Sequence, residues 1–148
     1  MNDGQAPPLT MRVASDVDRL ADVRAFVREA VAEFGGSQRI ADDLVQAVDE
    51  AATNAIVHGY RGRPGWLEVT VGFDGECFVV TITDEAPTFD PTAYPEPDLA
   101  IPPERRKPGG MGVHLIRAAS DEVSWQPRPG GGNILTLIRT RAERQQEE

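Results

Sequence analysis

The chain has one cysteine, Cys77, and one lysine, Lys107, among 148 residues. A single cysteine excludes an internal disulfide framework and a cysteine-built zinc site, and it fits a reducing, cytoplasmic setting. Pro108 follows Lys107, so there is no P-loop lysine, and no strand carries the lysine of an ordinary eukaryotic-type protein kinase. Basic charge is scarce: the formal net charge is −9, which argues against direct nucleic-acid binding. No apolar run approaches the roughly 18 residues that a bilayer span needs. The opening "MNDGQAPPLT" is polar and contains proline, unlike a secretory signal. The two histidines, His58 and His114, do not form a metal pair by spacing, and no serine sits in G-x-S-x-G.

What is present reads as one domain of ordinary hydrophobic content, 40%. "LTMRVAS" alternates like an edge strand. Ser15 then stands as a helix N-cap, followed by Leu20, Val23, Val27, Ala30, Val31 and Phe34 at helical spacing, and Gly35-Gly36 ends that helix. Ser37 caps a second helix with Ile40, Leu44, Val48, Ala51 and Ala55 on its stripe and Gly59 as the stop. "WLEVTVGF" and "ECFVVTIT" form a hairpin about Asp74-Gly75, with Cys77 as a core residue. Seven prolines then fall between Pro87 and Pro108, where no periodicity survives; a loop of that length is usually functional or a linker. A third helix starts near Met111 with Val113, Ile116 and Ala119 on one face, and "EVSW" pairs with "NILTLIRT" around "RPGGG". Trp66 and Trp125 read as sheet residues.

The expectation is an α+β two-layer sandwich, a mostly antiparallel sheet covered on one face by about three helices. Residues 1–8 form a flexible start, 9–140 the domain with a long loop at about 87–110, and 141–148 a charged tail.

Three places hold the chemistry. In "DEAATNAIVHGY" Glu50 and Asn54 stand four residues apart, about 40° around a helix, beside its apolar stripe. They read either as a half-exposed polar pair, or as a base with an amide ligand for Mg²⁺ that also holds phosphates. "GGMGVHLI" enters a helix through glycines, as a hinge or as a phosphate-binding helix start. Asp84 ends a strand, as a turn former or as an acceptor for the exocyclic amine of adenine, where a guanine carbonyl would be repelled. His58 reads as a helix-end dipole partner, and Asp90 as a turn residue.

Taken in order, these stretches resemble the GHKL ATP-binding superfamily, in the form of the bacterial anti-sigma factor serine/threonine kinases. "DEAATNAIVHGY" resembles the N box, "DEAPTFDP" the adenine box and "GGMGVHLIRAASDEVSW" the phosphate box. The likeness runs from about Leu9 to Arg139. It implies the Bergerat-type fold, ATP and Mg²⁺ as cofactors, Asn54 as metal ligand, Glu50 as general base and Asp84 as the adenine reader. It implies phosphate contacts at Gly110 and Gly112, flanked by Gly109, Met111 and Val113, and further nucleotide contacts at Ala86, Lys107 and Asn133. The Pro-rich loop would be the ATP lid, bringing Arg105, Arg106 and Lys107 to the phosphates. The implied partners are a STAS-type anti-anti-sigma protein, phosphorylated on Ser or Thr, a sigma factor, and a second copy in a homodimer. Histidine kinases share the nucleotide fold but carry an upstream dimerisation helix with a phosphorylated histidine, which is not expected here. The adenine box usually reads D-x-G. Ala86 stands at its glycine, at a cost of about 1 kcal/mol if that backbone takes positive φ. A non-catalytic ATP-binding module that sequesters a regulator is the alternative function.

Overall fold

The computed structural model describes residues 6–93, 100 and 110–142, with the backbone alone for 93 and 110–114. The strands are β1 (Leu9–Ala14), β2 (Trp66–Phe73), β3 (Cys77–Asp84), β4 (Glu122–Pro127) and β5 (Asn133–Thr140). The helices are α1 (Leu20–Glu33), α2 (Gln38–Thr53), which runs on as a π-helical segment Asn54–Tyr60, and α3 (Gly110–Ala119). The strands make one sheet in the order β1-β2-β3-β5-β4, every pair antiparallel.

Alternation decides which face is covered. Leu67, Val69 and Val71 of β2, Phe78, Val80 and Ile82 of β3, and Leu135 and Leu137 of β5 are all buried. They meet Val23, Val27 and Val31 of α1, Leu44 and Val48 of α2, and Ile116 of α3 in one core. The opposite face carries a row of hydroxyl residues in register across all five strands: Thr10, Thr70, Thr81, Thr136 and Ser124. This is the two-layer α+β sandwich that the patterning implies. Among the described residues, no helix is long and apolar enough to cross a membrane.

Local signals explain most boundaries. Ser37 Oγ accepts the Ile40 N–H at the start of α2. Asp74 Oδ1 accepts the N–H groups of Glu76 and Cys77, closing the β2–β3 turn with Gly75 at φ 100°. Four expectations are corrected. Ser15 is not the cap of α1. Its hydroxyl donates to the Arg63 carbonyl, and Asp16 instead accepts the Asp18 N–H, opening a 3₁₀ turn (Val17–Arg19) ahead of α1. Cys77 is not in the core; it opens β3 on the other face and is half-exposed. The loop after β3 is not structureless at its start, because Pro91–Ala93 form a 3₁₀ turn in which Asp90 accepts from the Thr92 N–H.

The fourth correction concerns the end of the second helix, which does not stop at Gly59. Thr53 Oγ1 donates to the Asp49 carbonyl, a back-bond that loosens a helix, and the wider π turns begin at the next residue. The chain leaves the helix at Arg61, a non-glycine residue in the left-handed region at φ 53°.

Arg139 escapes the hydrophobic reading. It faces the core on β5, fully buried. Its Nε and Nη2 donate to Asp43 Oδ2 of α2 at 3.2 and 2.9 Å, and Nη1 donates to the Thr140 carbonyl. Breaking a buried pair from one side strands the other charge. Asp43→Ala should therefore lower unfolding free energy by about 2–3 kcal/mol, less than for a fully enclosed pair because Asp43 is partly exposed. Arg139→Met should cost less than that, since it removes the buried charge itself. Urea unfolding of both variants checks the asymmetry; equal losses would contradict it.

Candidate functional site

The end of α2, its π segment, the loop after β3, and the β4–β5 pair enclose a cavity of about 560 Å³, a size that suits a drug- or nucleotide-sized ligand. Ala51, Asn54, Ala55, His58 and Gly59 line one wall, with Arg61 beyond them. Asp84, Ala86 and Phe89 line the second, and Ile116, Trp125, Asn133 and Leu135 complete it. The mixed helical geometry matters, because π turns are frequent at functional sites and this one carries Asn54 and His58 on the cavity wall.

Asp84 is buried at the last position of β3. Burial raises its pKa above the usual carboxylate value; the hydrogen bonds of Asn133 and the Ala86 N–H, and the charge of Arg128, draw it back. Its Oδ1 accepts from the Ala86 N–H and from Asn133 Nδ2, each at 2.9 Å. Tyr60, at the end of the π segment, is buried and reaches the same loop. Its hydroxyl donates to the Trp66 carbonyl at 2.7 Å and accepts the Glu85 N–H at 2.8 Å. Burial raises the Tyr60 pKa, and the Glu85 N–H that the phenol oxygen accepts works against it. Gly132, at φ 119°, lies against this strand end: a Cβ there would stand 2.0 Å from the Asp84 carbonyl oxygen.

The structure brings Asn54, Asp84, Ala86 and Asn133 into one cavity. Glu50 is half-buried one turn before Asn54 and does not line it. Gly110, Met111, Gly112 and Val113 form the first turn of α3. Lys107, Gly109, Arg105, Arg106 and most of the expected lid lie outside the described residues. Ala86 carries no positive φ, so the strain expected of an alanine in the glycine position is absent. Its methyl group fits because the facing residue is Gly59. His58 lies in the last turn of the π segment, where a dipole partner is expected, and it also lines the cavity wall. Tyr60, Arg61 and Trp125 were missed as parts of the site. The signal for Trp125 was its inward phase on β4, diagonal to Asn133 across the hairpin.

Oxygen donors with Asn54 among them suit a hard cation such as Mg²⁺, which keeps waters and takes ligand phosphates rather than an all-protein cage. Among the described residues no three His, Cys, Asp or Glu side chains converge as a metal site, so a cation here would rest on Asn54 and on oxygens brought by the ligand.

Comparison with known proteins places this fold and its cavity. Residues 13–139 match the family described as the histidine kinase-like ATPase domain, and the chain belongs to that family. Membership implies that the domain binds ATP. The chain is similar to the serine/threonine-protein kinase BtrW of Bordetella bronchiseptica, 32% identical over 68% of this chain and 71% of the relative. It is similar to the anti-sigma F factor of Thermoanaerobacter sp. (strain X514), 26% identical over 78% of this chain and 83% of that protein. The serine-protein kinase RsbW of Bacillus subtilis is 25% identical, over 82% and 79%. A solved structure, the RsbU and RsbW domains of a Mycobacterium tuberculosis protein, superposes with a TM-score of 0.63 at 22% identity. That likeness covers 91% of this chain but 32% of the longer one, and it speaks to the fold.

The Gly59–Ala86 contact is testable. A Cβ on Gly59 would sit 2.8 Å from the Ala86 Cβ. Gly59→Ala should destabilise the domain by about 1–3 kcal/mol through overpacking, and adding Ala86→Gly should restore most of the loss. Thermal unfolding of the two single variants and the double variant measures the coupling; additive losses would contradict the contact.

Proposed function

We propose that this chain is an ATP-dependent serine/threonine protein kinase and anti-sigma regulatory factor. It would phosphorylate a STAS-type anti-anti-sigma protein and control a sigma factor by partner switching. The observation that carries the reading is the shared cavity of Asn54 and Asp84, which brings a neutral amide oxygen and a buried carboxylate into the lining of one nucleotide-sized space. The names of the relatives, anti-sigma F factor and serine-protein kinase, support the partner-switching class. A homodimer is part of the same proposal.

In this reading Asp84 accepts from the adenine amine, Asn54 holds Mg²⁺, and the first turn of α3, Gly110 to Val113, offers its N–H groups to phosphate. The lid residues Arg105, Arg106 and Lys107, with Gly109, would close over the phosphates. Glu50 takes the proton of the attacking hydroxyl from the partner protein. Phosphoryl transfer depends mostly on positioning and charge neutralisation, so the base adds to a rate that geometry already governs.

A second reading has one observation in its favour. Among the described residues Glu50 is not part of the cavity lining, and a module that binds ATP and a regulator without transferring phosphate needs no base there. Labelled ATP and candidate STAS proteins decide between them. Glu50→Gln should leave ATP affinity within about twofold and lower phosphate transfer by at least roughly 100-fold, the usual contribution of a positioned base. Transfer at the wild-type rate would remove Glu50 from the mechanism. Binding of ATP with no transfer to any STAS partner would leave the module.

A further inference from the structure

Asn133 lines the cavity, but its amide is engaged by the protein at both ends. Its Oδ1 accepts the Phe89 N–H at 2.8 Å and the Trp125 indole N–H at 2.9 Å. Its Nδ2 donates to Asp84 Oδ1 at 2.9 Å and faces the carbonyls of Pro87 and Ala86 at 3.2 and 3.4 Å. The chemistry allows one orientation only. A backbone N–H and an indole N–H can only donate, so the oxygen must face them; two carbonyls can only accept, so the NH₂ must face those. Turning the amide over would set donor against donor on one side and acceptor against acceptor on the other.

That fixed orientation has a consequence for Asp84. The Asn133 NH₂ and the Ala86 N–H both demand an acceptor, and both fall on Oδ1. The carboxylate is thus pinned at one oxygen. We infer that Asn133 is a positioning residue for nucleotide selectivity: locked by Trp125 and Phe89, it holds Asp84 as an ionised acceptor with Oδ2 turned to the base. An ionised Oδ2 accepts from the amine of adenine and repels the carbonyl of guanine. A protonated Oδ2 is a donor and reverses that preference. The inference rests on the cavity being an adenine-nucleotide site, and it assigns to Asn133 a role through Asp84 rather than a ligand contact.

Among the described residues, the charged and titratable groups around Asp84 are few. Arg128, in the β4–β5 turn, favours its ionised form. Tyr60 from the π segment and Glu85 beside it face the same loop, and His58 lines the same cavity. Burial works against ionisation, so removing the Asn133 donor leaves Asp84 protonated over a wider range of pH. Adenine binding would then be lost at a higher pH than in the wild type as the solution is acidified.

The test is calorimetric titration of the full chain with ADP and with GDP, each with Mg²⁺, between pH 5 and 8. Two variants are compared with wild type. Asn133→Leu keeps the branched outline of the side chain and removes both ends of the amide. Trp125→Phe keeps the aromatic wall and removes only the indole N–H, so it decides the matter whether or not Asn133→Leu folds. The wild type should prefer ADP, and its affinity should fall on acidification. Asn133→Leu should lose at least about tenfold of that preference, the scale of one charge-assisted hydrogen bond, and its affinity should fall at a higher pH. Trp125→Phe should move both readouts the same way by a smaller amount. If the wild type prefers ADP while both variants keep its selectivity and its pH profile, Asn133 does not position Asp84 and the inference is overturned while the nucleotide site stands. If the wild type does not distinguish ADP from GDP, the adenine reading of the cavity and the inference fall together.

Discussion

A carboxylate buried at the end of a β-strand is the constraint on which this site depends. Burying Asp84 disfavours its charge, and an unpaired buried carboxylate would cost several kcal/mol. The chain answers with hydrogen bonds drawn from distant parts of the sequence. Asn133 comes from β5, the Ala86 N–H from the loop itself, and the Tyr60 hydroxyl takes the neighbouring Glu85 N–H from the end of the π segment. The amides of Glu85, Ala86 and Phe89 all find side-chain acceptors, and Pro87 has no N–H to satisfy. The described start of the loop is therefore held by side chains in place of a strand partner, in an arrangement present without ligand. Such preorganisation is what lets a small number of polar groups select one base over another.

Much of the fold could be read from alternation. β2, β3 and β5 each bury every second residue, and the stripe Ile40, Leu44, Val48, Ala51 of α2 is buried as its spacing requires. What could not be read was helical hydrogen bonding. An α-to-π change at Asn54 leaves the residue spacing almost unaltered, and it adjoins a hydroxyl back-bond from Thr53 that periodicity does not reveal. Gly59 misled for the same reason: glycine before a turn signals a stop, but here its missing side chain makes room for Ala86. That contact joins residues far apart in sequence, so local pattern carries no trace of it.

The candidate site was legible in part. Asp84 and Asn54 announced themselves as polar groups beside apolar runs, and both reach the cavity. Asn133 and Arg139 carried a signal of the same kind. In "NILTLIRT" the inward phase reads Asn, Leu, Leu, Arg, so a polar residue sits at each end of a buried face. Each is buried, and each has found a partner across the fold: Asp84 for Asn133, Asp43 for Arg139. A polar residue in the buried phase of a strand is thus a request for a partner, and the sequence does not say which one. In the proposed function, chemistry at the phosphate end rests on Glu50 and on the first turn of α3, and the role of Glu50 is where the kinase reading and the binding-module reading part.

The central claim is that this cavity holds ATP with its base against Asp84 and its phosphates toward Asn54 and the start of α3. A crystal structure with a non-hydrolysable ATP analogue and Mg²⁺ tests it most directly. The account predicts the exocyclic amine of adenine at hydrogen-bond distance from Asp84 Oδ2, with the Asn133 amide still on Oδ1, and the amide oxygen of Asn54 on the metal. An analogue bound with its base elsewhere, or with Asp84 turned away from it, would contradict the account.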